Sequence, residues 1–256
     1  GEQGNNTTPP RVELTSTQVY QKVNPSVVFI LITQKNGIAS GSGFFIDTVG
    51  TVVTNFHVIA DGLTGAIQLY NGETASIVNV LGYDEKLDIA ILSTTAKNTT
   101  AAKLGNSSEV LVGDTVYAIG YPAALQVGFS SSTFTTGMVS MNRSLGGYTY
   151  IQSTVDITHG NSGGALINTY GEVVGITTAG LNVGDVDYMN LSIPVQRIDT
   201  VGRNVNESLE IVTKRHYPVY VTYQIDNSTY LRQTLKYETN PSKPNNPTKI
   251  GYTFAN

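Results

Sequence analysis

Short apolar runs, each ended by a glycine, asparagine or threonine turn, constrain this chain more than any other feature. They fall at about 27–33, 44–47, 52–57, 66–70, 75–81 and 88–93, then at 114–120, 135–141, 148–155, 165–168, 172–178 and 189–193. Runs this short suit strands, and no helix-period or heptad pattern competes with them. Asn71-Gly72 between two runs is a strong hairpin signal. Thr169-Tyr170-Gly171 marks a second turn, and Ser40-Gly41-Ser42-Gly43 reads as a turn into Phe44-Phe45-Ile46-Asp47. Polar residues 97–104 separate the runs into two groups of about six. The expected fold is therefore all-β, with two six-stranded antiparallel β-barrels packed together. Barrel one would cover about 24–97 and barrel two about 110–193. Residues 194–201 would add one or two helical turns, with Pro194 at a tolerated early position.

Composition narrows the function classes. The 256 residues suffice for one large domain or two small ones. Net charge is −4 with no basic block, which argues against nucleic-acid binding. No apolar run approaches the length of a membrane span. There is no cysteine, so disulfides and thiolate metal sites play no part, and no cofactor or metal is expected. The first ten residues, Gly1 through Pro10, are polar and end in Pro9-Pro10. With the residues up to 18 they read as a flexible linker, or as a stalk left after removal of a signal or anchor.

One segment carries chemistry. In Gly160-Asn161-Ser162-Gly163-Gly164 a serine sits between small residues inside a strand-forming stretch. Glycine permits unusual backbone conformations and close ligand approach. Two N–H groups converging beside the hydroxyl would form an oxyanion hole, although a tight turn with an incidental serine would look the same. Upstream, a hydrophobic strand ends at His57, and Asp88 lies in the run Leu87-Asp88-Ile89-Ala90-Ile91-Leu92. An acid among buried-type residues needs a partner, and an imidazole is a good one. The chain thus offers a base, an orienting acid and a nucleophile in the order His57, Asp88, Ser162. That is the order of serine triads on double β-barrels. The same glycines satisfy the G-x-S-x-G elbow of α/β-hydrolases, with Asp185, Asp187 or Asp199 and His216 as later partners. That elbow must be followed by a helix, whereas Gly164-Ala165-Leu166-Ile167-Asn168 leads into a turn and another strand-like run.

Further motifs accompany the triad. They are Gly41-Ser42-Gly43-Phe44, Thr54-Asn55-Phe56-His57-Val58, Leu104-Gly105-Asn106-Ser107, Val112-Gly113-Asp114, Ala118-Ile119-Gly120-Tyr121-Pro122, Thr136-Gly137-Met138-Val139-Ser140 and Ile151-Gln152-Ser153. Together they resemble the HtrA/Deg branch of trypsin-like serine proteases over roughly residues 19–203. The resemblance implies that Ser162 attacks the scissile carbonyl, that His57 moves the proton and that Asp88 holds the imidazole. It implies an oxyanion hole from the N–H groups of Gly160 and Ser162. Substrate would be bound by His159, Thr177, Thr178, Ala179 and Gly180, with the backbone of 175–180 pairing with the peptide. Segments 156–159 and 178–182 would shape the primary pocket, for which a small or medium apolar side chain is expected. Residues 15–23 would support a homotrimer. Two departures stand out: His159 replaces the family's usual proline, and residues 204–256 are too few for the PDZ domain common in the family.

The tail after Arg203 alternates like strands at 218–225 and 229–237, with a turn at Asp226-Asn227-Ser228. Its ending, Pro247-Thr248-Lys249-Ile250-Gly251-Tyr252-Thr253-Phe254, resembles the B repeats of internalin-type bacterial surface proteins. That implies a secreted or cell-surface bacterial protein. The expected function is cleavage of unfolded or surface proteins. The alternative is a catalytically silent binding or adhesion module on the same fold, against which the intact His57, Asp88 and Ser162 argue.

Overall fold

The computed structural model describes residues 11–121, 131–157, 160–179, 190–216, 219–225 and 228–235. Twelve of its strands form two closed antiparallel barrels. The first contains β1 (Val27–Gln34), β2 (Gly37–Phe45), β3 (Thr51–Thr54), β4 (Gly62–Gln68), β5 (Thr74–Asp84) and β6 (Ile89–Thr94). The second contains β7 (Thr115–Gly120), β8 (Thr133–Leu145), β9 (Tyr148–Ser153), β10 (Ala165–Asn168), β11 (Val173–Ala179) and β12 (Asn190–Pro194). Around the rings the orders are β1-β2-β3-β6-β5-β4 and β7-β8-β9-β12-β11-β10. The same connectivity is therefore used twice, and closure leaves neither barrel with an edge strand.

Each barrel is filled by the inward-facing residues of its strands. Ile30, Ile32, Phe45, Val52 and Leu92 fill the first, and Val116, Val139, Ile151, Leu166 and Val174 fill the second. A third cluster joins the two, with Phe29, Phe44, Val53 and Ile91 meeting Tyr117, Ile119, Ala165 and Ile176. This shared core holds the barrels against each other and so fixes any site built between them.

Three local expectations change. Residues 40–43 lie within β2, not in a turn. The turn comes earlier, at Lys35-Asn36, where Gln34 pairs with Gly37 across a two-residue hairpin. Gly41 and Gly43 are glycines for lack of space: a Cβ on Gly41 would lie 2.7 Å from Val58 methyls, and one on Gly43 2.7 Å from Val52 and 2.9 Å from Ile30. Second, His57 does not end a strand. β3 stops at Thr54, and His57 sits on a short helix, α2 (Phe56–Ile59). Third, the flexible stretch expected through residue 18 gives way at Thr15 to a helix, α1 (Ser16–Val23). Thr15 and Gln18 form a reciprocal capping box, and Val19 is fully buried. Residues 1–10 lie outside the described residues.

After β12, Pro194 leads a 3-10 helix at Val195–Thr200, as the sequence suggested. A further helix, α3 (Leu209–His216), packs on β4 and β5 of the first barrel. Then β13 (Val219–Ile225) and β14 (Ser228–Leu235) form an antiparallel pair of their own. The final segment, including the internalin-like ending, lies outside the described residues.

Candidate active site

The first barrel holds His57 and Asp88 together. The His57 backbone N–H donates to Asp88 Oδ1 at 2.9 Å, and His57 Nδ1 lies 2.8 Å from Asp88 Oδ2. An ionised carboxylate only accepts, so this contact puts the imidazole proton on Nδ1 and leaves Nε2 as the basic nitrogen. The Asn55 side-chain amide donates to the Asp88 backbone carbonyl at 2.9 Å. Asp88 is held in the left-handed region at φ 57°, which an aspartate adopts only when its surroundings compensate. Here Asn55 and the His57 backbone supply that compensation. Asp84 prepares the approach, its carboxylate accepting from the N–H groups of Lys86 and Leu87.

The second barrel supplies Ser162 between β9 and β10. This segment meets β2 of the first barrel directly. Ser42 N–H donates to the Ser162 carbonyl at 2.8 Å, and the Ser42 hydroxyl donates to the Gly160 carbonyl at 2.7 Å. Gly163 has φ +85°, and a Cβ there would lie 2.2 Å from the Ser42 carbonyl and 2.3 Å from the Thr54 hydroxyl. Only glycine lets the serine turn come this close to β2 and β3. Ser162 itself is 6% exposed. The turn closes on itself through Gly164 N–H donating to Asn161 O at 2.9 Å.

The Thr177-Thr178 pair, expected to line the substrate path, turns inward. Both residues are 1% exposed. The Thr177 hydroxyl donates to Asn161 O at 2.6 Å, and its backbone N–H and carbonyl engage Gly164 and Gly163. The Thr178 hydroxyl crosses between barrels and donates to Asp88 Oδ2 at 3.3 Å. Both threonine side chains therefore brace the site. Ala179 ends β11, while His159 and Gly180 lie outside the described residues, as do 181–189. Burial pushes the Tyr150 phenol above its ordinary pKa, and the Asp88 charge adds to the shift. Among the described residues no group of three or more His, Cys, Asp or Glu gathers to hold a metal ion. No helix among them is long and apolar enough to cross a membrane. A cavity of about 530 Å³ lies instead beside Arg11, Glu109 and Tyr170, and none of His57, Asp88 and Ser162 lines it.

The α/β-hydrolase alternative fails on this geometry. Strand β10 follows Ser162 where a helix would be needed, and His216 on α3 contacts Phe56 and Glu85. Sequence reasoning did not find α3, although Ser208 before Leu209 and Val212, with Lys214, Arg215 and His216 closing the run, is a readable helix signal.

The trypsin-like peptidase domain family matches residues 41–176. Serine protease HTRA1B of Danio rerio is 36% identical over 195 residues, covering 70% of this chain and 39% of that protein. Serine protease HTRA3 of Rattus norvegicus is 37% identical over 202 residues, covering 70% of this chain and 42% of the relative. The matched part therefore spans about two fifths of these relatives' length. Among solved structures, the HtrA-type protease AlgW with tripeptide superposes with TM-score 0.64 at 29% identity, covering 72% of this chain and 61% of that one. The serine endoprotease from Yersinia pestis gives TM-score 0.62 at 29% identity, covering 74% and 65%.

Proposed function

The chain belongs to the HtrA-type trypsin-like serine proteases, and from that membership we propose that it is a serine endopeptidase acting on unfolded or surface-exposed protein chains. One observation carries the reading: Asp88 is gripped by both the ring and the backbone N–H of His57, while Thr178 reaches it from the barrel that holds Ser162. In the reaction, Ser162 Oγ attacks the scissile carbonyl carbon and His57 Nε2 takes its proton. The tetrahedral intermediate's oxyanion is received by the N–H groups of Gly160 and Ser162. Collapse breaks the C–N bond, and His57 delivers the proton to the leaving amine. Water then enters, His57 acts as base again, and the acyl-enzyme is hydrolysed. Asp88 stabilises the imidazolium in both halves.

Peptide binding by strand addition along residues 175–180, with His159 among the substrate-binding residues, belongs to the same proposal. The preferred side chain at the cleavage site is small or medium and apolar, to be read by peptide-library profiling. A homotrimer resting on α1 belongs to the same proposal and is tested by light scattering. Secretion or display at a bacterial cell surface is proposed from the internalin-like ending at 247–254.

The deciding experiment is fluorophosphonate labelling with intact-mass detection on the wild type, Ser162→Ala and His57→Ala. Labelling of the wild type alone supports the reading. A folded wild type that stays unlabelled even with unfolded casein present overturns it in favour of a silent binding module.

A further inference from the structure

α3 grips both ends of the helix that carries His57. At the far end, Thr213 Oγ1 lies 2.8 Å from the carbonyls of both Ala60 and Gly62, sharing its proton between them. At the near end, the His216 ring stands edge-on to Phe56, with centroids 5.3 Å apart and planes at 68°. Phe56 immediately precedes His57 and is 4% exposed. Its ring is stacked on Tyr83 of β5, at 5.0 Å and 21°. Phe56 is thus held between Tyr83 and His216. His216 has a second contact, with Nδ1 3.2 Å from Glu85 Oε2. Glu85 belongs to the short loop that delivers Asp88. One side chain therefore touches the residue before the base and the loop before the acid.

We propose that His216 is a positioning residue for the catalytic pair, setting His57 through Phe56 and Asp88 through Glu85. The proposal rests on the assignment of His57 and Asp88 made above. Packing of α3 is the work of other side chains: Leu209 and Val212 are 3% and 1% exposed and join the core of the first barrel, with Phe56, Val58 and Ile59. His216 keeps 30% of its side chain in solvent. Its removal should therefore unfold little but loosen much. The neighbouring residues of α3 form ion pairs of their own, Arg215 with Glu207 and Lys214 with Glu210. Small displacements of a base from its productive geometry slow acyl transfer steeply.

The test uses the full chain with His216→Ala and His216→Phe, the latter keeping a ring against Phe56 while losing the Glu85 contact. Three readouts are taken: the second-order rate of fluorophosphonate labelling, the urea midpoint, and the NMR signals of the His57 ring. His216→Ala should label about tenfold more slowly with a nearly unchanged urea midpoint and displaced His57 signals. His216→Phe should recover part of that rate. The inference is overturned if His216→Ala labels within about twofold of wild type with His57 signals unmoved. It is equally overturned if the rate loss simply tracks the unfolded fraction. A wild type that never labels defeats the proposed function. The His57 signals then still decide the positioning role, since they need no turnover.

Discussion

The Thr178 hydroxyl lies 3.3 Å from Asp88 Oδ2 and ties the acid of the first barrel to a strand of the second. It acts beside the shared core, in which Leu87 and Ile89, the neighbours of Asp88, pack with residues of the second barrel. Replacing Thr178 with Val keeps the shape and removes the donor. The expected loss is about threefold to tenfold in labelling rate, the size of one ordinary net hydrogen bond of about 0.5–1.5 kcal/mol. Comparing labelling rates of the folded variants checks it, and an unchanged rate would mean that Asp88 needs no support from the second barrel.

Asp88→Asn should leave the fold intact and nearly abolish activity. The amide can donate where the carboxylate only accepts, so the imidazole loses its proper tautomer. In a comparable triad this change lowers kcat about 10⁴-fold. Peptide hydrolysis by the variant, set beside Ser162→Ala, is the measurement. A loss under about tenfold would remove Asp88 from the mechanism.

Gly163 and Gly147 provide a matched pair. Both have positive φ, at +85° and +84°. An added Cβ at Gly147 meets nothing within 4 Å, whereas at Gly163 it meets the Ser42 carbonyl and the Thr54 hydroxyl. Gly147→Ala should cost about 1 kcal/mol, the backbone strain alone. Gly163→Ala should cost at least about 2 kcal/mol more, because backbone must move, and labelling should fall with it. Urea unfolding of the two variants separates strain from collision.

Glu172 predicts an acid limit to stability. Its side chain is 2% exposed. Burial alone would raise its pKa, but hydrogen bonds from Lys103 and Asn168 and the Lys103 and Arg11 charges hold it below the ordinary carboxylate value of 4.5. A depressed folded pKa contributes stability that is fully present above the unfolded value and is lost as pH falls through the folded one. Urea midpoints should therefore drop as pH falls below about 4.5, and Glu172→Gln should flatten that drop while lowering stability at neutral pH. A wild-type and a variant profile of equal slope would dissociate Glu172 from acid unfolding.

Much of this molecule could be read along the chain, because the features concerned are settled by near neighbours. The alternation of short apolar runs with turns announced two six-stranded barrels. Asn71-Gly72 and Thr169-Tyr170-Gly171 marked turns where they occur, and even the tail's paired strands followed from alternation. The same reading passed over Asn36-Gly37, as plain a hairpin signal as Asn71-Gly72. It placed the turn at residues 40–43 instead.

The sequence by itself determined the two sets of strands and the family, and it singled out His57, Asp88 and Ser162 as candidates, since motif chemistry and local turn preference suffice for these. Only the tertiary structure decided why Gly41, Gly43 and Gly163 must lack side chains. The atoms that exclude a Cβ there come from Val58, Val52, Ile30, Ser42 and Thr54, brought together by barrel closure and docking. It likewise decided that Thr177 and Thr178 face Asn161 and Asp88, and that His216 meets Phe56, 160 residues earlier in the chain. Such contacts depend on register and docking across the whole fold, which local propensity does not encode.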